Sequence, residues 1–289
     1  MDAKDSPTQR NGHPISFVEI DADDVQAHPE LLERIFVAEL TGVVVRNALP
    51  QSMVKAAMKK LDSAALESAW GSPNAGMYGG EIRTIGEAAT PTYTSFGGPT
   101  TERYTANAVE HGQWTDAIFE DTPPTAYLKS IFSGLCGGRP AEPPRFENGT
   151  SWLPYNYRAL DPGVQIYSHH DNHYGLEIYQ GFDAALDRNH LLSWFVTLQP
   201  AMEDGDLVVY GLWGSDPNPP MLPTRFLDTE ALERDFLRTV VDLGAGDLVI
   251  FDSGRHVHRV TPVGGEKSRV TLGGFLTADV DRSRVAFWS

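Results

Sequence analysis

The segment Ser168-His169-His170-Asp171-Asn172 contains the residue types best suited to metal chemistry. It lies at the end of residues 164–168, whose composition predicts a β-strand. Side chains two positions apart on a strand point to the same face, so His169 and Asp171 can reach one point. His170 and Asn172 would face the opposite way, and asparagine is the poorer ligand. His169 and Asp171 are therefore candidate ligands of one metal ion.

A second histidine segment supplies the third candidate ligand. Residues 247–263 are predicted to form a strand, a tight turn and a returning strand that carries His256 and His258. Two histidines and one carboxylate form the facial triad of non-haem Fe(II) oxygenases, which leaves room for a bidentate 2-oxo acid and O₂. We favour His258 as the third ligand. His256 shares its predicted face and is the competing candidate.

Arg269 is a candidate partner for the cosubstrate. It lies eleven residues after His258 (269 − 258 = 11), a spacing that lets a strand, turn and returning strand bring it back to the metal. A guanidinium group matches the far carboxylate of 2-oxoglutarate. Thr271 shares the strand face and can add a hydroxyl. These residues predict Fe(II) as the metal, with 2-oxoglutarate and O₂ as cosubstrates.

The C-terminal half is predicted to be a β-structure that positions these residues. Turn signals such as Asp161-Pro162-Gly163 and Gly264-Gly265 separate short β-type runs. The predicted strands are residues 152–160, 163–169, 190–198, 206–212, 239–243, 247–252, 256–263 and 268–277. A helical insertion is predicted near residues 229–238. Many short strands with this punctuation are typical of a sandwich or barrel, including the jelly roll.

The N-terminal half is predicted to be helical and irregular. Residues 1–14 are interpreted as a disordered tail, and residues 69–105, rich in Gly, Thr and Pro, as a possible lid. Apolar spacing predicts helices at residues 29–40, 50–67 and 126–135, and strands at residues 15–20 and 42–46. The fold class predicted is mixed α+β. In it, residues 15–289 form one domain, whose N-terminal part (15–150) packs its helices against a C-terminal double-stranded β-helix (151–289) of the jelly-roll, cupin-like type.

Composition narrows the range of partners. The formal net charge of −16 disfavours nucleic acid, because phosphate backbones repel an acidic surface. No apolar run approaches the roughly 18 residues of a membrane span. The single cysteine, Cys136, and a polar N-terminus favour a cytoplasmic location. We therefore expect a small-molecule substrate, no nucleic acid and no membrane partner. The sequence carries no indication of the oligomeric state.

The combined motifs His169-x-Asp171, His258-Arg259-Val260 and Arg269-x-Thr271 resemble those of Fe(II)/2-oxoglutarate-dependent oxygenases. The sequence is most similar to the free-standing branch that includes the hapalindole- and welwitindolinone-type alkaloid halogenases. Hydroxylases of N-succinyl amino acids are similar in site plan. The resemblance is carried by residues 158–172, 206–210, 254–260 and 269–276, and by the final Trp288-Ser289.

Asp171 marks a departure from the halogenases of that branch. They have glycine at this position, and the glycine leaves an iron position free for chloride. With a carboxylate there, the resemblance implies hydroxylation of a C–H bond, or a related oxidation, in place of halogenation. Desaturation, cyclisation or halogenation at the same iron remain alternatives. A cupin-like metal protein without oxygenase activity is a further one.

The resemblance also implies positions for the substrate. The family's lining residues correspond to Ile82, Arg83, Ile166, Tyr174 and Ser193. Ile82, Ile166 and Tyr174 would form an apolar wall, as in most small-molecule pockets. Arg83 replaces a small residue and would be costly to bury without an anion. We hypothesise that Arg83 binds an anionic group of the substrate, the alternative being that it points to solvent.

The aromatic residues Trp194, Phe195 and Trp213 are interpreted as core or pocket residues, with the core favoured for each.

Overall fold

Among the described residues, two main β-sheets, one short two-stranded sheet and the helices beside them make up the fold. The computed structural model describes residues 11–71, 80–86, 101–119, 123–146, 149–171, 179 and 185–289. In chain order the strands are β1 (Phe17–Asp21), β2 (Gly42–Arg46), β3 (Ile82–Ile85), β4 (Ala141–Glu142), β5 (Asn156–Leu160), β6 (Ile166–His169), β7 (Leu192–Gln199), β8 (Glu203–Asp204), β9 (Leu207–Trp213), β10 (Arg238–Val241), β11 (Leu248–Phe251), β12 (His256–Val260), β13 (Val263–Gly264), β14 (Arg269–Ala278) and β15 (Val285–Trp288). The α-helices are α1 (Leu31–Phe36), α2 (Gln51–Leu61), α3 (Thr101–Ile118), α4 (Pro124–Leu135) and α5 (Thr229–Asp235), and Ala22–Ala27 and Ala64–Ala69 are 3₁₀-helices.

The larger sheet runs in the order β1-β2-β11-β7-β14. Beyond it, the long strand β14 pairs with β5 over its first half and with β15 over its second half. β3 pairs with β5, and β4 pairs with β15. The smaller sheet has the order β10-β9-β12-β6.

The chain crosses repeatedly between the two sheets. It passes from β5 in the larger sheet to β6 in the smaller, back to β7, and then to β9. The same crossing recurs from β11 to β12 and on to β14, and the core pairs are antiparallel. This alternation is the double-stranded β-helix, or jelly-roll, arrangement. The predicted mixed α+β fold class is confirmed.

Alternation along β7 shows how the larger sheet separates two cores. Trp194 and Val196 are buried in the core shared with the helices, whereas Phe195 packs against the core between the sheets. Phe132 of α4 reaches this helix-side core, with its ring 5.2 Å from that of Trp194. The helices therefore cover one face of the larger sheet, and the other face is available for a site between the sheets.

Part of the predicted lid belongs to the larger sheet. Within residues 69–105, strand β3 pairs with β5 in the register Ile82↔Leu160 to Ile85↔Tyr157. Helix α3 begins at Thr101 and was not predicted, because its apolar residues are too sparse to mark a clear face. Residues 72–79 and 87–100 lie outside the described residues.

Several predicted boundaries shift. The predicted helices at residues 29–40 and 229–238 are shorter, as α1 and α5, and the helix predicted at 50–67 is α2 followed by a 3₁₀-helix. Within the tail predicted at residues 1–14, the Asn11 and His13 amides donate hydrogen bonds to the carbonyls of Asp235 and Gly211. Residues 1–10 lie outside the described residues.

Within the part of the chain that the structure describes, no helix is both long and apolar enough to cross a bilayer.

Candidate metal and cosubstrate site

The register of the smaller sheet brings two histidines together. β6 ends at His169, and β12 places His258 directly opposite it in the antiparallel pair. Their ring centroids are 4.4 Å apart. Asp171 follows two residues after His169, and its amide donates a 2.8 Å hydrogen bond to the carbonyl of Ser253, in the turn before β12. Strand pairing and this turn therefore converge on one point.

The three side chains form a donor set suited to one metal ion. One ligand atom from each of His169, Asp171 and His258 lies within 4.8 Å of the others. Asp171 Oδ1 is 3.6 Å from His169 Nε2, and Asp171 Oδ2 is 3.8 Å from His258 Nε2. Atoms bound about 2.0–2.2 Å from one metal lie roughly 3 to 4 Å apart. The spacing therefore fits a single ion.

Backbone carbonyls orient both imidazoles. His169 Nδ1 donates to the carbonyl of Tyr167 at 2.6 Å, and His258 Nδ1 donates to that of His256 at 3.0 Å. Because a carbonyl oxygen only accepts, Nε2 of each ring keeps its lone pair for a metal. Burial, with repulsion from His169, lowers the pKa of His258 to about 3. His258 is therefore neutral, as a ligand histidine must be.

A hydrogen bond from the opposite sheet orients the carboxylate. Ser193, on β7, donates through Oγ to Asp171 Oδ2 at 2.6 Å. Ser193, predicted to contact substrate, also lines the cavity between the sheets. The structure thus gives it a contact with a candidate ligand that its sequence position did not indicate.

His256 lies outside the donor cluster. Its Nδ1 donates to the carbonyl of Tyr210 at 2.9 Å, and its Nε2 accepts from Trp213 Nε1 at 3.3 Å. Both nitrogens are therefore engaged. A register shift between His256 and His258 interrupts the simple alternation that would put both on one face. The geometry favours His258 over the competing His256.

Arg269 is a buried cation that faces the cavity. Its side chain is 6% exposed, and its guanidinium carbon lies 5.0 Å from the centroid of the Phe195 ring. It makes no hydrogen bond or ion pair with any residue that the structure describes. Burial lowers the pKa of Arg269 to about 10, although Asp206 partly opposes this effect. A buried charge of this kind requires an anionic partner.

Thr271 accompanies Arg269 on the cavity face of β14. Both residues line the cavity, and Thr271 is 5% exposed. A cation and a hydroxyl on one strand face suit the far carboxylate of a 2-oxo diacid. The pair therefore fits 2-oxoglutarate, and the donor set beside it fits iron.

The cavity wall is mainly apolar. Ile82 and Ile166, predicted to contact substrate, both line it, whereas Tyr174 lies outside the described residues. Sequence reasoning did not select the other wall residues as substrate contacts; they are Arg158, Leu160, Trp194, Phe195, Leu207, Phe251, Val260, Gly273, Gly274 and Phe275. Phe195, interpreted as a core residue, is therefore a wall residue.

Arg83 does not line this cavity. It follows Ile82 on β3 and faces the other way, where it donates two hydrogen bonds, of 2.8 and 3.1 Å, to the carboxylate of Asp161. Its guanidinium also lies 5.1 Å from the Trp70 ring centroid. This placement favours Asp161 over a substrate anion as the partner of Arg83.

Sequence comparison identifies the family. A profile of the family described as "Carrier-protein-independent halogenase WelO5" matches residues 14–289. The chain belongs to this family. With the donor set of His169, Asp171 and His258, this membership makes the protein a 2-oxoglutarate-dependent non-haem iron oxygenase, with Fe(II) and 2-oxoglutarate as its cofactor and cosubstrate. Among curated proteins, no sequence matches the chain significantly.

Solved structures share the fold of this oxygenase. One is an N-substituted L-amino acid dioxygenase from Burkholderia ambifaria AMMD in complex with α-ketoglutarate. It has 16% identity and a TM-score of 0.52, with 90% of this chain and 91% of that chain covered. Another is the epimerase SnoN in complex with Fe³⁺, α-ketoglutarate and nogalamycin RO. It has 12% identity and a TM-score of 0.53, with 92% of this chain and 87% of that chain covered. At these identities the likeness establishes the fold alone.

Proposed function

We propose that the protein hydroxylates an unactivated C–H bond of a free-standing small molecule. The observation that carries the proposal is the Asp171 carboxylate. It lies 3.6 and 3.8 Å from the imidazole nitrogens of His169 and His258 and completes a set of two histidines and one carboxylate.

The residues take distinct roles in this proposal. His169, Asp171 and His258 hold the iron, and the Ser193 hydroxyl keeps the carboxylate of Asp171 in place. Arg269 and Thr271 hold the far carboxylate of 2-oxoglutarate. Together with O₂, iron and 2-oxoglutarate supply the oxidation of a C–H bond, with release of succinate and CO₂. The apolar wall limits water in the cavity and holds the substrate close to the metal.

Halogenation is the second candidate, because the family is named after a halogenase. The halogenases that this chain resembles have glycine where Asp171 stands, and that glycine leaves an iron position for the halide. The carboxylate of Asp171 takes the corresponding place among the donors here, which favours transfer of oxygen. Desaturation and cyclisation would use the same residues and differ in where the substrate lies.

The substrate is proposed to be a free molecule, in keeping with a family described as independent of carrier proteins. Amino-acid derivatives, nucleotides and natural-product intermediates are the classes considered. The N-substituted L-amino acid dioxygenase that shares the fold supports the first of these. We also propose a cytoplasmic location, since the single cysteine is a buried free thiol.

Product analysis tests the proposal. The enzyme is incubated with Fe(II), 2-oxoglutarate, ¹⁸O₂ and chloride, together with a panel of these compounds, and the products are analysed by mass spectrometry. The expected product gains one labelled oxygen atom, and succinate forms in step with it. A chlorinated product from the unmodified protein would contradict the proposal. The Asp171→Gly variant, with chloride, is the matched comparison.

A further inference from the structure

Arg158 is a second arginine in the cavity. It lies on β5, opposite Thr271 of β14 on one side and Thr84 of β3 on the other. Residues directly opposite in an antiparallel pair share a face, so Arg158 lies on the face of Thr271, and both line the cavity. Arg158 is thus one strand away from the residues proposed to hold 2-oxoglutarate.

Arg158 has no anionic partner in the described part of the chain. It forms no ion pair or hydrogen bond there, and its cross-strand neighbours Thr84 and Thr271 are uncharged. Asp161, the acid closest in sequence, is already engaged by Arg83 and by the Ser268 hydroxyl. By contrast, Arg83 on the neighbouring strand β3 donates two hydrogen bonds to the carboxylate of Asp161, which follows β5. The half-buried Arg158 guanidinium therefore presents a charge to the cavity interior.

The charges of the loaded site leave this arginine unmatched. Among the described residues that line the cavity, Asp171 is the one acidic side chain, and Arg158 and Arg269 are the cationic ones. Fe(II) and Arg269 together balance Asp171 and the two carboxylates of 2-oxoglutarate. Arg158 is a further cation on the cavity wall, and Asp206, which acts electrostatically on Arg269, does not line this cavity. An anionic group of the substrate can therefore pair with Arg158.

We infer that Arg158 binds a carboxylate of the substrate, so that the enzyme prefers negatively charged substrates to their uncharged analogues. This inference rests on the proposed function, in which iron and Arg269 already hold both carboxylates of 2-oxoglutarate. The planar guanidinium takes a carboxylate in a bidentate manner, which fixes orientation as well as affinity. The apolar walls around Phe195, Phe251 and Phe275 then receive the uncharged part of the substrate.

The test compares matched carboxylic acids and primary amides. The pairs are N-acetyl-L-phenylalanine, hexanoic acid and 4-phenylbutyric acid, each with its amide. Binding to the anaerobic enzyme loaded with Fe(II) and 2-oxoglutarate is measured by calorimetry. The unmodified protein is expected to prefer acids over amides about tenfold or more, the size of one charge-assisted hydrogen-bonded contact. Equal binding of acids and amides, or no binding of any acid, would overturn the inference.

Substitutions assign the preference to Arg158. Arg158→Gln is expected to abolish the preference, and Arg158→Lys to retain part of it. Arg83→Gln is the matched control, because this arginine lies on the neighbouring strand but faces away from the cavity. An acid preference that survives in Arg158→Gln would overturn the inference. If Arg158→Gln does not fold, Arg158→Lys provides the test. Lysine keeps the charge but loses the bidentate geometry, so this variant must weaken the binding of acids more than the binding of amides.

A separate titration distinguishes the substrate from the cosubstrate as the source of the carboxylate. The 2-oxoglutarate dissociation constant is measured for each variant before any acid is added. A change below about threefold in Arg158→Gln supports the substrate as the source, whereas a tenfold or larger rise assigns Arg158 to 2-oxoglutarate and overturns the inference. Failure of the unmodified protein to bind 2-oxoglutarate would instead refute the proposed function.

Discussion

Ser193 and Asp171 join the two sheets at the metal site through a 2.6 Å hydrogen bond. Ser193 belongs to β7 of the larger sheet, whereas Asp171 follows β6 of the smaller sheet. The bond fixes Oδ2 of the carboxylate, and the amide of Asp171 is held separately by Ser253. The orientation of the third ligand therefore depends on how the sheets pack, beyond the local His-x-Asp sequence.

Loss of the Ser193 hydroxyl is expected to weaken iron binding. Removing a group that orients a metal ligand typically costs about 10- to 100-fold in metal affinity, and we expect this range for Ser193→Ala. Fe(II) affinity is measured anaerobically by competition with a chelator. Thr197→Val is the control, because it removes a hydroxyl from the same strand at a position without contact to the ligands. An Fe(II) affinity of Ser193→Ala equal to that of the control would refute this role.

Arg269→Gln is expected to weaken 2-oxoglutarate binding by on the order of 30-fold or more, since losing one partner of a buried charge pair costs about 2–5 kcal/mol. The thermal stability of the protein without ligands should change little, because the Arg269 guanidinium forms no hydrogen bond or ion pair with the described residues and interacts there with the Phe195 ring and, electrostatically, with Asp206. Anaerobic 2-oxoglutarate titration and a thermal melt measure the two effects. Unchanged affinity would show that Arg269 does not bind the cosubstrate.

Substitution of each β12 histidine by glutamine is expected to show which of the two, His256 or His258, binds the metal and which has a structural role. His258→Gln should lower Fe(II) affinity by orders of magnitude. His256→Gln should leave Fe(II) affinity nearly unchanged but lower the free energy of unfolding by about 1–3 kcal/mol, because buried partners on Tyr210 and Trp213 are lost. Chelator competition and urea unfolding provide the two readouts. Greater loss of iron binding in His256→Gln would reverse the assignment.

The Arg83–Asp161 pair is expected to contribute to stability and not to substrate binding. Burial raises the pKa of Asp161, but hydrogen bonds from Arg83 and Ser268 outweigh it and hold the pKa below its usual value. The contribution is therefore present above the unfolded-state pKa and lost as the pH falls through the folded-state pKa. For a partly exposed pair, Arg83→Gln should cost up to about 1 kcal/mol at neutral pH.

Urea unfolding of Arg83→Gln and the unmodified protein, compared from neutral pH down to about pH 3, measures this difference. The two free energies of unfolding should converge at the acid end. A difference that persists or grows on acidification would show that the pair does not act through the charge of Asp161.

Two relations within the candidate site were predictable because they are local in sequence. The i, i+2 spacing relates His169 to Asp171, although β6 ends at His169, and the strand–turn–strand spacing that follows His258 relates it to Arg269. Both relations are visible in residue numbers. The competing His256 was harder to dismiss, because the register shift in β12 depends on its pairing with β9.

The rest of the site depends on contacts that no local pattern encodes. β3 lies in a segment rich in Gly, Thr and Pro, and its pairing with β5 decides that Ile82 enters the cavity and Arg83 leaves it. Arg158 lies in a strand that is buried on both faces, so the sequence shows no alternation of apolar and polar residues that would indicate which face of the sheet Arg158 occupies. Ser193 contacts Asp171 only because the two sheets close on each other.

The most direct test of the iron centre is the weak visible charge-transfer band of the anaerobic protein with Fe(II) and 2-oxoglutarate. We predict that the unmodified protein develops this band, that it saturates at one Fe(II) per chain, and that His258→Ala abolishes it. Absence of the band from the unmodified protein, or an equal band in His258→Ala, would contradict an iron site built on His169, Asp171 and His258.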